Sequence, residues 1–204
     1  MSRRSRDVFF IGIALIVIAA VAADNIALKP LRRHIVESKQ RGPDGKKYHL
    51  KYFTVVNVVD GDTFDIDISD GDSNVTRLRP LGIDTPETKH PKIPAMYYGQ
   101  QAAKKTTELL LNNRIKIVID TESPSRDHYG RLLCFVETED GRDFGKIMIE
   151  EGYAYADLRF EHSRYDEYEH LQQQAVESKT GLWKEVTFDQ LPKWLKDTEP
   201  GILE

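Results

Sequence analysis

Three short, separated motifs bring together two arginines and three carboxylates. These are Asp62 in DGDT (60–63); Arg79, Asp84 and Glu87 in RLRPLGIDTPETKHP (77–91); and Arg131 in DHYGR (127–131). Carboxylates bind hard cations, and the guanidinium fork of arginine binds anionic oxygens in pairs. The combination predicts chemistry on a phosphate group.

The two aspartates are candidate ligands of a cation. Asp62 and Asp84 lie 22 residues apart, in segments that we expect to form neighbouring strands. Two carboxylates can therefore converge on one ion. Hard ions such as Ca²⁺ prefer oxygen ligands from carboxylates, carbonyls and water, so this pair predicts a site for a hard cation.

The remaining charged residues suit the reaction itself. Glu87 follows Pro86 in a turn, where a carboxylate can accept a proton from a metal-bound water or orient it. Arg79 and Arg131 form a predicted phosphate clamp, because bidentate donors stabilise the extra negative charge of a pentacoordinate transition state. Tyr129, beside Arg131, suits either stacking on a base or a structural role.

The sequence predicts that strands, followed by helices that alternate with further strands, position these residues. Alternating and β-branched residues in HLKYFTVVNVV, FDIDISD and VTRLRPLGI predict three strands, with a tight turn at Asp70 and Gly71. Helical spacing follows at residues 98–113, then two more strands in IKIVID and LLCFVET, a short helix ending at Gly152 and a helix at about residues 165–179. The absence of βαβ alternation predicts an α+β domain built on a small antiparallel barrel.

The N-terminal segment predicts a targeting signal. Residues 8–23 carry no charge and follow three arginines. As a helix they would span about 24 Å, less than a hydrocarbon core of roughly 30 Å, and their terminal alanines resemble a cleavage site. Because basic residues follow closely, residues 1–25 are either a cleaved signal peptide or an uncleaved hydrophobic anchor helix. Both predict an extracytoplasmic protein, membrane-anchored in the second case.

Charge and composition divide the rest of the chain. We expect a basic linker at residues 26–47, one domain at 48–185 and an acidic tail at 186–204. Residues 1–50 hold ten Lys and Arg against four Asp and Glu, whereas the remainder holds nineteen against twenty-nine. An acidic domain excludes nucleic-acid binding through broad charge neutralisation, so any such binding must use local positive charge and metal.

The motifs DGDT, RLRPLGIDTPETKHP and DHYGR resemble those of the staphylococcal nuclease (thermonuclease) family, and the similarity extends from about Phe53 to Trp183. The resemblance implies an OB-fold, a five-stranded antiparallel β-barrel with three α-helices, and Ca²⁺-dependent hydrolysis of DNA and RNA that leaves 3′-phosphates. It implies three roles, which are Ca²⁺ binding by Asp62, Asp84 and the Thr85 carbonyl; water activation by Glu87; and transition-state contacts by Arg79 and Arg131. It also places Tyr129 by the nucleotide.

Some residues depart from the family pattern. His128 stands where a lysine is common before Tyr129, which makes one phosphate contact pH-dependent or removes it. Leu158 and Phe160 stand where tyrosines often line the base pocket. These changes affect the expected affinity for nucleotides rather than the catalytic set.

Two other function classes stay open at this point. A noncatalytic OB-type nucleic-acid-binding module needs the fold but not the carboxylates and arginines. A membrane-tethered scaffold needs only the N-terminal anchor and the acidic surface. We predict a monomeric nuclease acting on single-stranded or exposed nucleic acid, with no protein partner.

Overall fold

A computed structural model describes residues 42–88 and 95–203. The predicted hydrophobic helix at residues 1–25 and most of the predicted linker lie outside the described residues. Within those ranges, no helix is long and apolar enough to cross a membrane.

The described residues form five α-helices, seven strands and two short 3₁₀ turns. The helices are α1 Pro43–Tyr48, α2 Gly99–Leu110, α3 Phe144–Glu150, α4 Tyr165–Glu177 and α5 Lys193–Thr198. The strands are β1 Tyr52–Asp60, β2 Thr63–Ile66, β3 Thr76–Pro80, β4 Ile83–Asp84, β5 Arg114–Val118, β6 Leu132–Thr138 and β7 Tyr155–Ala156. The 3₁₀ turns are Gly181–Lys184 and Phe188–Gln190.

Five strands close into a barrel in the order β1-β2-β3-β6-β5. Each strand contributes an apolar side chain to the centre, and these are Val55, Phe64, Leu78, Ile117 and Val136, all buried. Burial alternates along β5, as the sequence pattern predicts for a strand with one face on a core. The barrel and its surrounding helices form the expected OB-like α+β fold.

The expectation of an entirely antiparallel barrel is wrong at one pair of strands. β3 and β6 run parallel, with Leu78 opposite Leu132 and Pro80 opposite Cys134. The other four pairs are antiparallel. Because neighbours in a closed ring can alternate in direction only when the number of strands is even, a five-stranded barrel must contain a parallel pair.

The prediction of three helices is also incomplete. The helices α2, α3 and α4 are those expected, but α1 and α5 add two more. Helix α1 ends at Tyr48, which is fully buried in the main core. At six residues each, both helices are too short to give a clear helical period in the sequence.

Residues 186–203, expected to be an acidic tail, pack against the domain. Leu191 and Leu195 are buried in a second cluster with Trp183 and Tyr155. Leu191 lies just before Pro192, which precedes α5, and Trp194 and Leu195 lie in the first turn of that helix, so all three apolar side chains reach this cluster. The segment therefore covers one side of the domain beside β7.

Candidate active site

Asp62 lies in the turn between β1 and β2, where its side chain is buried. Its Oδ2 accepts hydrogen bonds from the Thr85 backbone nitrogen at 2.7 Å and the Thr85 hydroxyl at 2.9 Å. These bonds join the β1–β2 turn to the residue that follows β4. Two predicted site residues, separated by 23 positions, are therefore in direct contact.

Gly61 makes this contact possible. A Cβ added at Gly61 would lie 2.6 Å from Thr85 Oγ1, closer than real Cβ contacts allow. The Gly61 carbonyl also accepts a hydrogen bond from the buried Thr106 hydroxyl of α2 at 2.6 Å. The absence of a side chain at Gly61 of the DGDT motif therefore allows its backbone to lie directly against Thr85.

Asp84 is held at the end of β4, where it pairs with Tyr155 of β7. The chain enters this strand through Gly82, whose φ of +73° is unfavourable for other residues. A Cβ at Gly82 would also lie 2.6 Å from His162 Nε2. A turn that only glycine fits therefore sets the direction in which Asp84 leaves the barrel.

Arg79 joins the two predicted metal ligands. Its Nη1 donates to Asp62 Oδ1, and its Nη2 donates to Asp84 Oδ1 at 2.5 Å and to the Ile83 carbonyl at 3.4 Å. Its guanidinium is itself mostly buried. The structure therefore brings Arg79, Asp62 and Asp84 together, as the sequence predicts.

Burial dominates the electrostatics of Asp62. Desolvation raises the pKa of its carboxyl to about 7, although the Arg79 charge opposes that rise. A buried carboxylate that is poorly solvated favours additional positive charge close by. Burial thus makes the negative charge of Asp62 unfavourable unless a cation lies close to it.

The second oxygen of Asp84 has a partner that sequence reasoning missed. Trp194 of α5 donates its indole Nε1–H to Asp84 Oδ2 at 2.8 Å, and Arg159 Nη2 lies 3.5 Å from the same oxygen. Arg159 is held in turn by Asp157, which accepts from it at 2.7 and 2.8 Å. No local sequence signal connects residues 84 and 194, because 110 positions separate them.

Arg131 shares a groove of about 460 Å³ with Arg79. Its Nε donates to Asp127 at 2.7 Å, and its Nη1 lies 3.5 Å from the Thr63 hydroxyl. Asp127, the first residue of the DHYGR motif, therefore fixes the direction of the guanidinium. The two predicted phosphate contacts line one groove.

Glu87 lines a neighbouring groove of about 850 Å³ together with Asp84 and Thr85. Its Oε1 accepts a hydrogen bond from the Thr88 backbone nitrogen at 2.9 Å, and its carbonyl accepts from Met96 at 2.8 Å. Arg159 lines both grooves, so they adjoin each other. Glu87 thus lines the same groove as Asp84, and Arg79 and Arg131 line the adjoining one.

The predicted nucleotide contacts lie at the edge of the arginine groove. Tyr129 is 74% exposed and its ring lies 3.7 Å from that of His128, centroid to centroid. Phe160 is also exposed and lines the groove, with the Arg159 guanidinium 5.6 Å from its ring centroid. Leu158 packs partly against the main core instead.

The oxygen donors of Asp62 and Asp84 fit a hard cation such as Ca²⁺. Arg79 pairs with both carboxylates but carries only one positive charge, so the ionised pair keeps one negative charge in excess for a cation. Among residues 42–88 and 95–203, no group of three or more His, Cys, Asp or Glu is placed to hold a metal. A cation would therefore complete its coordination with carbonyl and water oxygens, which Ca²⁺ accepts readily.

Comparison with known proteins connects this geometry to a family. The family model of staphylococcal nuclease homologues matches residues 77–185. The match includes Arg79, Asp84, Glu87 and Arg131 and begins after Asp62.

Three relatives have nuclease names. The chain is 35% identical over 133 residues to a thermonuclease of Staphylococcus hyicus, covering 64% of this chain and 75% of that protein. It is 32% identical over 150 residues to endonuclease YncB of Bacillus subtilis (strain 168), covering 72% and 69%. It is 34% identical over 132 residues to the SPbeta prophage-derived endonuclease YokF of the same organism, covering 64% and 43%. The match to more than half of the chain, together with these relatives, shows that the protein belongs to the staphylococcal nuclease homologue family.

Proposed function

We propose that this protein is a calcium-dependent nuclease that hydrolyses phosphodiester bonds of DNA and RNA by attack of water. The observation that carries the proposal is the Arg79 bridge between Asp62 and Asp84, with Arg131 on the same groove. The names of the thermonuclease and endonuclease relatives support the same activity.

The two arginines bind the phosphate. Arg79 and Arg131 present two guanidinium groups to one groove, and each is aimed by a carboxylate. Such preorganised donors stabilise the negative charge that grows on the phosphoryl oxygens in the transition state. Lysine at either position would lose the paired geometry of the fork.

Asp62, Asp84 and the Thr85 carbonyl are the proposed ligands of Ca²⁺. When bound, the ion would neutralise phosphoryl oxygens and make a bound water more acidic. Glu87, on the adjoining groove, would accept the proton of the attacking water or orient it toward phosphorus. The carboxylates thus serve two separate tasks, metal binding and proton transfer.

Exposed rings would bind the bases of the substrate. Tyr129 and Phe160 are both exposed near the arginine groove, and aromatic rings stack on bases without sequence preference. Stacking requires bases that are not paired in a duplex, which favours single-stranded or exposed nucleic acid. His128 lines the same groove and is a further proposed phosphate contact.

The proposed location is outside the cytoplasm. The hydrophobic residues 8–23 support this location, because a signal peptide and an N-terminal anchor would each direct the domain out of the cytoplasm. We propose a monomer, tethered to a membrane if residues 1–25 are retained. Mass spectrometry of the mature N-terminus would distinguish the two forms.

The deciding experiment measures cleavage of single-stranded DNA and RNA with Ca²⁺ or with EDTA. Wild type should cleave only with Ca²⁺, and Glu87→Gln should lower the rate by roughly 10²- to 10⁴-fold. The matched control is Glu137→Gln, since Glu137 forms an ion pair with Lys116 on the barrel, at 2.5 Å, away from both grooves.

Two results would contradict the proposal. Equal cleavage by the Glu87→Gln variant and wild type would remove Glu87 from the reaction. Binding of nucleic acid without cleavage at any Ca²⁺ concentration would identify a noncatalytic OB-type module instead.

A further inference from the structure

The hydrogen bond from Trp194 to Asp84 comes from a part of the chain beyond the family match. The match ends at residue 185, whereas Trp194 lies on α5. Its indole nitrogen is 2.8 Å from Asp84 Oδ2. A segment that the family model does not cover therefore contacts a proposed metal ligand.

The indole is held firmly in place. Its ring packs edge-on against Tyr155, with centroids 6.3 Å apart, and the Arg159 guanidinium lies 4.5 Å from its centroid. The next residue, Leu195, is fully buried. Because Tyr155 and Arg159 contact the ring and the neighbouring Leu195 anchors the helix in the core, the direction of the indole N–H is restricted.

The two hydrogen bonds to Asp84 together define its orientation. Oδ1 accepts from Arg79 at 2.5 Å and Oδ2 accepts from Trp194 at 2.8 Å, so rotation of the carboxylate would break one of them. Each carboxylate oxygen has two acceptor sites, so the indole fills only one of those on Oδ2. Arg159 Nη2 is the other neighbour of this oxygen, at the longer distance of 3.5 Å, and a cation would have to approach beside it. Partners of this kind, which orient a ligand from outside the coordination shell, commonly contribute 10- to 100-fold in metal affinity.

We propose that Trp194 is a positioning residue of the metal site, which holds Asp84 in the orientation that binds the cation. This inference rests on the proposed function, because it assumes that Asp62 and Asp84 bind Ca²⁺. It makes the C-terminal segment 186–203 a part of the metal site.

The chain contains a matched control in its only other tryptophan. Trp183 is also buried against Tyr155, with centroids 5.6 Å apart, but its Nε1 has no hydrogen-bond partner among the described residues. Phenylalanine at either position removes an indole N–H and similar ring area. Only at Trp194 does the change remove a bond to Asp84.

The experiment is a calorimetric titration of the full chain, in mild detergent, with Ca²⁺ alone. Trp194→Phe should raise the Kd for Ca²⁺ by roughly 10- to 100-fold. Trp183→Phe should leave the Kd unchanged. Thermal unfolding without Ca²⁺ establishes that both variants are folded.

Fluorescence gives a second readout that leaves Trp194 intact. In the Trp183→Phe protein the single remaining tryptophan is Trp194, and its emission should change as Ca²⁺ binds. In the Trp194→Phe protein the emission of Trp183 should stay constant over the same titration. If the emission of Trp194 stays the same when Ca²⁺ binds, the inference is contradicted.

The possible failures are distinguishable. Equal Kd values for wild type and Trp194→Phe would overturn the positioning role and leave the metal site intact. Tighter binding by Trp194→Phe would show that the indole competes with the cation, which also overturns it. Absence of Ca²⁺ binding by the wild type would reject the metal site of the proposed function itself.

Discussion

Two arginines that line the same groove each join a pair of aspartates, but the aspartates that they join differ in burial. Arg79 bridges Asp62 and Asp84 at the candidate active site. Arg126 bridges Asp44 of α1 and Asp70 of the β2–β3 turn, and four hydrogen bonds connect its guanidinium to their carboxylates. The composition of the two clusters is the same, so the difference between them lies in the environment.

Burial distinguishes one aspartate of the Arg79 cluster. The Asp62 side chain is 3% exposed, whereas those of Asp84, Asp44 and Asp70 are 21%, 22% and 28% exposed. Burial raises the pKa of Asp62 to about 7, while hydrogen bonds from Arg126 lower the pKa of Asp70. For Asp44, burial raises the pKa, but hydrogen bonds from Arg126 and Ser125 outweigh it and leave the pKa below its usual value.

From this difference we propose a separate role for each cluster. The Arg126 cluster stabilises its carboxylates as anions and connects α1 to the barrel. In the Arg79 cluster, burial keeps the ionised form of Asp62 unfavourable even beside the arginine. A further cation near Asp62 would stabilise that ionised form. The same pairing can therefore serve as a structural link or as a binding site.

Replacing the two arginines gives the largest expected contrast. Arg79→Ala should lower the rate of cleavage on the order of 10³-fold or more, because it removes a donor to the transition state. Arg126→Ala should instead lower the free energy of unfolding by about 1–3 kcal/mol. Because Arg126 also lines the arginine groove, its loss should lower the cleavage rate per folded molecule far less than the loss of Arg79, which bonds both proposed metal ligands. Rates on single-stranded DNA and urea unfolding curves measure both; equal losses of activity would show that the clusters do not differ in role.

Calcium should stabilise the protein through one cluster only. At a free Ca²⁺ concentration 100 times the Kd, the free energy of unfolding should rise by about 2.7 kcal/mol. Asp84→Asn should abolish this increase, and Asp70→Asn should keep it. Unfolding curves with Ca²⁺ and with EDTA are the measurement, and an increase that survives Asp84→Asn would place the cation elsewhere.

Acid should weaken the Arg126 cluster, with a smaller effect. Because the folded pKa of Asp70 is lowered, its stabilisation is complete above the unfolded pKa of about 3.9 and is lost as pH falls through the folded pKa. Asp70→Asn should therefore be less stable than wild type by about 1 kcal/mol at pH 7, and the gap should close below about pH 4. Asp72→Asn, at an exposed position of the same turn, is the control and should follow the wild type; a gap that persists at low pH would contradict this role for Asp70.

Local pattern was enough to predict much of the fold. Alternation in RIKIV and LLCFVET identifies two barrel strands, and helical spacing identifies α2. These signals depend on neighbours in sequence, which are also neighbours on one face of an element. The parallel β3–β6 pair follows from closure of five strands, a property of the whole ring that no single strand displays.

The candidate site shows the same division. The sequence by itself determined the residue types, the family to which they belong, and the glycines that permit the close approach of Asp62 to Thr85 and the turn before Asp84. The tertiary structure alone decided that Asp62 is buried while Asp70 is partly solvated, and that Trp194 reaches Asp84 across 110 positions. Burial and contacts between distant residues arise only when the chain has closed around a core, so they depend on every packed element and not on any one motif.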